Sequence, residues 1–376
     1  MEPSHALATW RAGSATLRTM KFRHLSIGFV VAAICAAAQT VAPTEVDAKV
    51  DELVRAAMHR QQIPAMTVAA GIGERMVYSK AFGTADLENG VAATTGTPIR
   101  TGSIAKPISA AAAMTLVDSG KLDLDAPVQK YCAEFPRKRW PITPRELLSH
   151  TAGIRHYHKG EIENTRHYER MADGFAIFGK DALLFEPGTA FSYSTYGYTV
   201  VGCVVEGASG ERFADYVAEH VLKPAGMTHT FVDDVWEIVP GRARGYQKMG
   251  GRVKNAGLMD SSYKIPGGGY VTTAEDLVRF AQALMEGKIV QAGTLAEMWT
   301  AAKLPGGKVS NYGLGFGVLT VDGERRVAHS GAQQGTSASM VIIPERRFAV
   351  AALANMDEVG VAGVVGGILG LYGMGK

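Results

Sequence analysis

Gly102-Ser103-Ile104-Ala105-Lys106-Pro107-Ile108-Ser109-Ala110-Ala111-Ala112-Ala113-Met114 is the stretch that decides how this chain reads. A serine hydroxyl is a poor nucleophile until a neighbour takes its proton. On a helix, a lysine three residues later lies on the same face and within reach of that hydroxyl. Apolar residues at Ile108, Ala111, Ala112 and Leu116 predict such a helix, with Ser103 at its positive end. Pro107 falls in the first turn, where a missing N–H costs little. The spacing alone is not specific, because Ser261-Ser262-Tyr263-Lys264 repeats it. That second stretch runs into Ile265-Pro266-Gly267-Gly268-Gly269, which reads as a loop with no helix to present its lysine.

Outward from the serine helix, the two chain ends carry strand patterns and the middle carries mostly helical ones. Thr44 is placed to cap a helix through Val46, Val50, Leu53, Val54 and Ala57, ended by Pro64. Met66–Ala70 and Met76–Phe82 read as strands joined near Gly71 and Gly73. Further helices are expected over Tyr198–Glu206, closed by Gly207, and Phe213–Leu222, closed before Pro224. Thr273 and Asp276 resemble a capping box for a helix through Leu277, Phe280, Ala281 and Leu284, stopped by Gly287. Gly315–Val321 and Arg325–His329 flank Asp322-Gly323, a strong hairpin signal, and Ser339–Ile343 and Arg347–Ala354 continue the meander. Val359–Tyr372 reads as a helix packed on that sheet. The expected fold is α/β (α+β): an antiparallel sheet flanked by N- and C-terminal helices, with a helical lobe inserted over about residues 107–252. The serine helix lies where the two lobes meet, a common place for a cleft.

Hydrophobic content of 47% and charged content of 20% describe an ordinary globular protein. The N-terminus differs. Lys21, Arg23 and His24 precede the apolar run Leu25–Ala38, the order of a secretory signal peptide over residues 1–38, with Met20 as an alternative start. The run is too short for a permanent bilayer anchor, which needs ~20 residues. Export across an inner membrane to the periplasm is therefore expected, with residues 39–376 as the mature domain. Residues 1–38 also carry the excess of basic over acidic side chains behind the formal charge of +3. The remainder is neutral, so neither nucleic acid nor an anionic membrane is an implied partner. Ile34 before Cys35 is too bulky for a lipid-attachment site. An oxidising compartment would permit a Cys132–Cys203 disulfide, but two isolated cysteines in apolar settings read first as buried small residues.

Tyr193-Ser194-Thr195 and His329-Ser330-Gly331 follow the serine motif in order. With them stand Gly120–Asp125, Leu147–Ile154, Phe185–Gly188 and Tyr312–Gly317. In these motifs the chain resembles the serine β-lactamase and penicillin-binding protein superfamily. The similarity is to its class C-like branch of D-alanyl-D-alanine carboxypeptidases, esterases and mitochondrial serine β-lactamase-like proteins. The Arg155-His156-Tyr157 and Tyr193–Thr199 stretches look like the mitochondrial type. The resemblance spans about Val46 to Met356 and implies a β-lactamase/transpeptidase-like fold.

The resemblance also implies roles. Ser103 is the acylated nucleophile, and Lys106 must be neutral to serve as base, which requires a pKa lowered through burial and nearby positive charge. Tyr193 relays protons, and whether it or Lys106 is the acylation base stays open. Backbone N–H groups of Ser103 and Ala332 form the oxyanion hole, with His329, Ser330, Gly331 and Thr195 completing the substrate-binding set. Two positions depart from common relatives: Thr195 stands for an asparagine and His329 for a lysine. The first weakens grip on a substrate amide and the second on a substrate carboxylate.

Other candidates carry less. His150 reads as a loop-structuring residue. His156, His158 and His167 lack a completing carboxylate or cysteine, so no metal is expected. Gly71-Ile72-Gly73 lacks the third glycine of a dinucleotide site and marks a strand end. No cofactor is implied. Three readings follow: a hydrolase of small amides, peptides or esters; a true β-lactamase; and a non-catalytic binding or scaffold protein.

Overall fold

The computed structural model describes residues 44–374, so the leader, Met20 and Cys35 lie outside the described residues. Seven antiparallel strands form the main sheet: β1 (Ala65–Ile72), β2 (Arg75–Asp86), β3 (Val91–Ala92), β4 (Gly317–Val321), β5 (Glu324–Gln333), β6 (Thr336–Ile343) and β7 (Phe348–Ala354). Their order is β3-β2-β1-β7-β6-β5-β4, so the two chain ends join where β1 meets β7, with Val68 opposite Ala352. Six helices frame the site: α1 (Glu45–Gln61), α2 (Ala105–Asp118), α3 (Thr195–Ser209), α4 (Ile265–Gly268), α5 (Ala274–Met285) and α6 (Val361–Leu371). The expected fold class is the observed one.

Strand β7 shows why the sheet is covered on both faces. Phe348, Val350 and Ala352 join Val50, Val54, Val365 and Ile368 of α1 and α6 in one apolar cluster. Ala349, Ala351 and Leu353 point the other way, into the larger cluster with Leu277 and Phe280 of α5 and the helices of the inserted lobe. Gly71 lies under α5, where a Cβ would stand 2.8 Å from Val278 Cγ1, so the glycine permits the close packing of strand and helix. At Asp322-Gly323 both residues take positive φ (51° and 80°), the turn that the β4–β5 hairpin demands. Thr44 and Asp47 complete a capping box on α1. Thr273 caps α5 through the Asp276 N–H. The Asp276 carboxylate, however, accepts from the His229 N–H and the Thr230 hydroxyl, so only half of that box is made.

The inserted lobe is less helical than its pattern implies. Tyr246–Met249 and Arg252–Asn255 form a hairpin, because Gly250 and Gly251 both adopt positive φ between them. The Phe213 segment continues as far as Ala225, and a wide π turn over Ala218–Leu222 accommodates the N–H that Pro224 lacks.

Gly207 does not close its helix. Helix α3 runs to Ser209 and is capped by Gly210 at φ 80°. A Cβ on Gly207 would lie 1.6 Å from the Tyr131 carbonyl oxygen, so the glycine lets α3 press on the Tyr131-Cys132 backbone. Cys203, one turn earlier, then meets Cys132, and the two form a disulfide with a Cα–Cα distance of 5.4 Å. The cysteines are therefore a bridge rather than two separate buried thiols. A closed loop with a sequence separation of 71 removes about 4 kcal/mol of chain entropy from the unfolded state. Replacing both cysteines by alanine is expected to cost ~2–4 kcal/mol in equilibrium urea unfolding. An unchanged midpoint against the oxidised protein would contradict the bridge.

Candidate active site

The site begins with a close approach between a turn and a strand edge. Gly102–Ile104 form a single 3₁₀ turn before α2, and Gly102 takes φ +50°. A Cβ there would sit 2.6 Å from the Ala332 nitrogen, and one on Gly331 would sit 1.9 Å from the Thr101 carbonyl oxygen. Only glycine at both positions lets β5 press against the serine turn. β4 pairs with β5 no further than Ala328, so the β5 edge at residues 329–332 is open on that side. The Ser103 side chain faces the cleft beside Tyr193.

Lys106 is wholly buried on the first turn of α2. Its Nζ lies 3.0 Å from Ser103 Oγ, 3.1 Å from Thr195 Oγ1 and 2.8 Å from the Gly267 carbonyl oxygen. None of these partners is a carboxylate, and burial, then the nearby Lys264, pulls the amine well below the ordinary lysine range. A neutral amine has two N–H donors and one lone pair. The Gly267 carbonyl can only accept, and it takes one N–H. Thr195 takes the second, because its own hydroxyl is directed onward to Tyr157, which in turn meets Tyr263. Tyr263 donates to the Glu161 carbonyl oxygen at 3.2 Å, which fixes the polarity of the whole chain. Ser103 Oγ is the third neighbour of the amine nitrogen.

Tyr193 enters just before α3. Its ring centroid lies 4.8 Å from Lys106 Nζ, and its hydroxyl is hydrogen-bonded to Ser103. Burial pushes the phenol above its ordinary range, with the bond to Ser103 opposing, so it holds its proton at neutral pH. Alcohol, amine and phenol therefore share one cavity. Ser194 caps α3 by accepting from the Gly197 N–H at 3.0 Å. That cap turns Thr195 inward, where it is 3% exposed. Thr195 accordingly holds Lys106.

His329 lines the cleft with both ring nitrogens engaged. Nδ1 donates to the Ser330 carbonyl oxygen at 2.6 Å, leaving Nε2 to accept from the Tyr312 hydroxyl at 2.9 Å. Burial, then Lys106, pulls its pKa down to about 3 while the bond to Ser330 opposes, so the imidazole is neutral at ordinary pH. His150 fits its loop-structuring reading: it takes φ 59°, its Nδ1 accepts from the Ser194 N–H, and its ring packs on Tyr193, Tyr198 and Tyr312. His156 Nδ1 accepts from the Thr195 N–H, whereas His167 pairs with Asp260 at 2.9 Å, so these histidines serve separate contacts.

Lys264 is the correction that matters most. Ser262–Lys264 form a 3₁₀ turn leading directly into α4, whose Gly267 carbonyl holds Lys106. The Lys264 side chain is buried, with Nζ 3.2 Å from Gln333 Oε1 and 5.5 Å from the Tyr157 ring centroid. Its pKa falls to about 7 through burial, then Arg100, with Asp233 opposing. The second Ser-x-x-Lys match thus supplies a like-charged neighbour to the first. Tyr157, Tyr263 and the Gly267 carbonyl also escaped sequence reasoning, and only the Arg155-His156-Tyr157 stretch hinted at any of them.

Known proteins resemble this chain in sequence and fold. A profile of the beta-lactamase family matches residues 50–365. The human mitochondrial serine beta-lactamase-like protein LACTB is 27% identical over 79% of this chain and 74% of its own length. The putative penicillin-binding protein PbpX of Bacillus subtilis is 31% identical over 64% of this chain and 59% of its own. Among solved structures, the octameric penicillin-binding protein homologue from Pyrococcus abyssi superposes with a TM-score of 0.77 at 26% identity, covering 88% of this chain and 78% of that one. A class C beta-lactamase mutant shares the fold, with a TM-score of 0.74 at 20% identity over 88% and 99% of the two chains.

The Lys106–Lys264 pair makes a signed expectation for pH dependence. A base acts only above its pKa, and a like-charged neighbour lowers that pKa. Lys264→Met is therefore expected to move the acid limb of the kcat/KM profile for a p-nitrophenyl ester to higher pH. A lower rate at every pH with an unmoved limb would reduce Lys264 to a packing role.

Proposed function

The chain belongs to the beta-lactamase family, and on that premise we propose that it is an exported serine hydrolase that cleaves a small amide, peptide or ester through a Ser103 acyl-enzyme. The observation that carries this reading is the buried Lys106 Nζ, 3.0 Å from Ser103 Oγ and without a carboxylate partner. Lys106 takes the proton as Ser103 Oγ attacks the substrate carbonyl. The N–H groups of Ser103 and Ala332 stabilise the oxyanion. The proton passes through Tyr193 to the leaving group, which departs as the acyl-enzyme forms. A water then repeats the sequence in reverse and frees Ser103. The depressed amine and the elevated phenol favour Lys106 over Tyr193 as the acylation base.

Narrow β-lactamase activity is the weaker alternative. His329 is neutral with both nitrogens occupied, so it offers no cation to a lactam carboxylate. Thr195 is spent on Lys106. Export is supported by the basic-then-apolar N-terminus and by the disulfide, which persists in oxidising compartments.

A fluorophosphonate is expected to add its mass to the peptide containing Ser103, and Lys106→Ala to slow that labelling by about 10²–10⁴-fold. Folded protein left unlabelled would favour the non-catalytic binding reading. In parallel assays a short-chain p-nitrophenyl ester is expected to turn over faster than a chromogenic cephalosporin. Rapid cephalosporin hydrolysis without esterase activity would reverse the preference.

A further inference from the structure

A cleft of about 630 Å³ starts at Ser103 and Tyr193 and continues away from the oxyanion edge. Its path is set by β5, on which Arg326, Ala328, Ser330 and Ala332 alternate onto the cleft side. Leu319, Val341, Val365 and Leu369, from β4, β6 and α6, supply an apolar wall. Arg326 stands on the same lining. Its neighbours are neutralised, Arg325 by Glu345 and Arg346 by Glu324. The Arg326 Nε, in contrast, is buried with no hydrogen-bond partner among the described residues. Arg326 has no carboxylate partner among the described residues, and its guanidinium stands on the cleft lining, where an anion would pair with it.

The order of groups along β5 says which part of a substrate lies there. Ala332 marks the oxyanion. His329 lies beside Tyr193, with ring centroids 6.3 Å apart, and Tyr193 is the donor to the leaving group. Ser330 adjoins His329 on the open edge, and Arg326 follows four residues along the same face as Ser330, ~13 Å of extended strand, part of which the arginine side chain spans. The leaving group, not the acyl group, therefore projects along the apolar wall towards Arg326.

Resting on the hydrolase reading above, we propose that Arg326 is a specificity-determining residue, and that the preferred substrate releases an alcohol or amine with an apolar body about 10 Å long and an anionic end, carboxylate or phosphate. His329 cannot supply this recognition, because its nitrogens are already bonded. Arg326 supplies it further along the same strand.

The test compares acetyl esters of 1-octanol, 8-hydroxyoctanoate and 8-hydroxyoctyl phosphate on the full chain. At least one anionic ester is expected to be preferred over octyl acetate, mainly through a lower KM, and the better of the two identifies the end group. Arg326→Met is expected to cut that preference ratio about tenfold, the effect of losing one charge-assisted pair. Arg326→Lys should restore part of it, and Arg326→Glu should favour 8-aminooctyl acetate instead. A preference ratio that Arg326→Met leaves unchanged, or no preference at all in the original chain, overturns the proposal. Calorimetric binding of the two free anionic alcohols to Ser103→Ala protein decides the matter independently of turnover. If Ser103 resists labelling yet an anionic alcohol binds and Arg326→Met weakens it tenfold, the hydrolase reading falls while the anion site stands. Labelling of Ser103 without Arg326-dependent binding has the opposite meaning.

Discussion

A buried amine with no anion beside it is the constraint around which the rest of this molecule is arranged. An ammonium in that position would be expensive to keep out of water. Burial lowers the Lys106 pKa and so reduces that cost, and its N–H groups are satisfied by the Gly267 carbonyl and Thr195 Oγ1. Those acceptors come from α4 and α3, so two separate segments must close on α2 before the amine is satisfied. The tyrosine chain behind Thr195 ends on a backbone carbonyl, which cannot donate, and so every hydroxyl in it points away from Lys106. The outcome is an amine held within hydrogen-bond distance of a serine.

Bringing those segments together requires backbone contact that most side chains would forbid. Gly102 and Gly331 allow the serine turn to meet the open edge of β5. Gly207 does the same for α3 against the Tyr131 carbonyl, and the Cys132–Cys203 bridge pins that contact. Helix α2 contributes Ala110, Ala111, Ala112 and Ala113, all buried, and a Cβ on Gly315 would come within 2.3 Å of the Ala110 methyl. Small residues on every side let one helix run through the core with its first turn at the cleft. The buried amine is thereby held by packing rather than by an opposing charge.

Much of this was legible in the sequence, and the boundary is physical. Ser103, Lys106 and Tyr193 could be read because each sits in a short motif whose spacing is local chemistry. The sheet could be read because β7 and the Asp322-Gly323 turn carry strong local signals. What escaped depends on distant partners. Gly207 looks the same in sequence whether it ends a helix or permits a close approach, and only Tyr131 decides. Cys132 and Cys203 pair because two elements meet at Gly207, which no spacing encodes. Lys264 was set aside because Pro266 and three glycines suggested a loop, yet a tight 3₁₀ turn needs no long helix to bury a lysine. The cap at Ser194 turns Thr195 towards Lys106, a contact that its place in the motif does not encode.

The account stands on the protonation state of one side chain. NMR titration of the chain labelled with ¹³Cε-lysine, with Lys106→Arg to assign the resonance, measures it directly. The structure predicts that Lys106 loses its proton well below the ordinary lysine value of 10.5. A resonance that titrates near that ordinary value would show a charged amine beside Ser103, and the lysine could not then be the base.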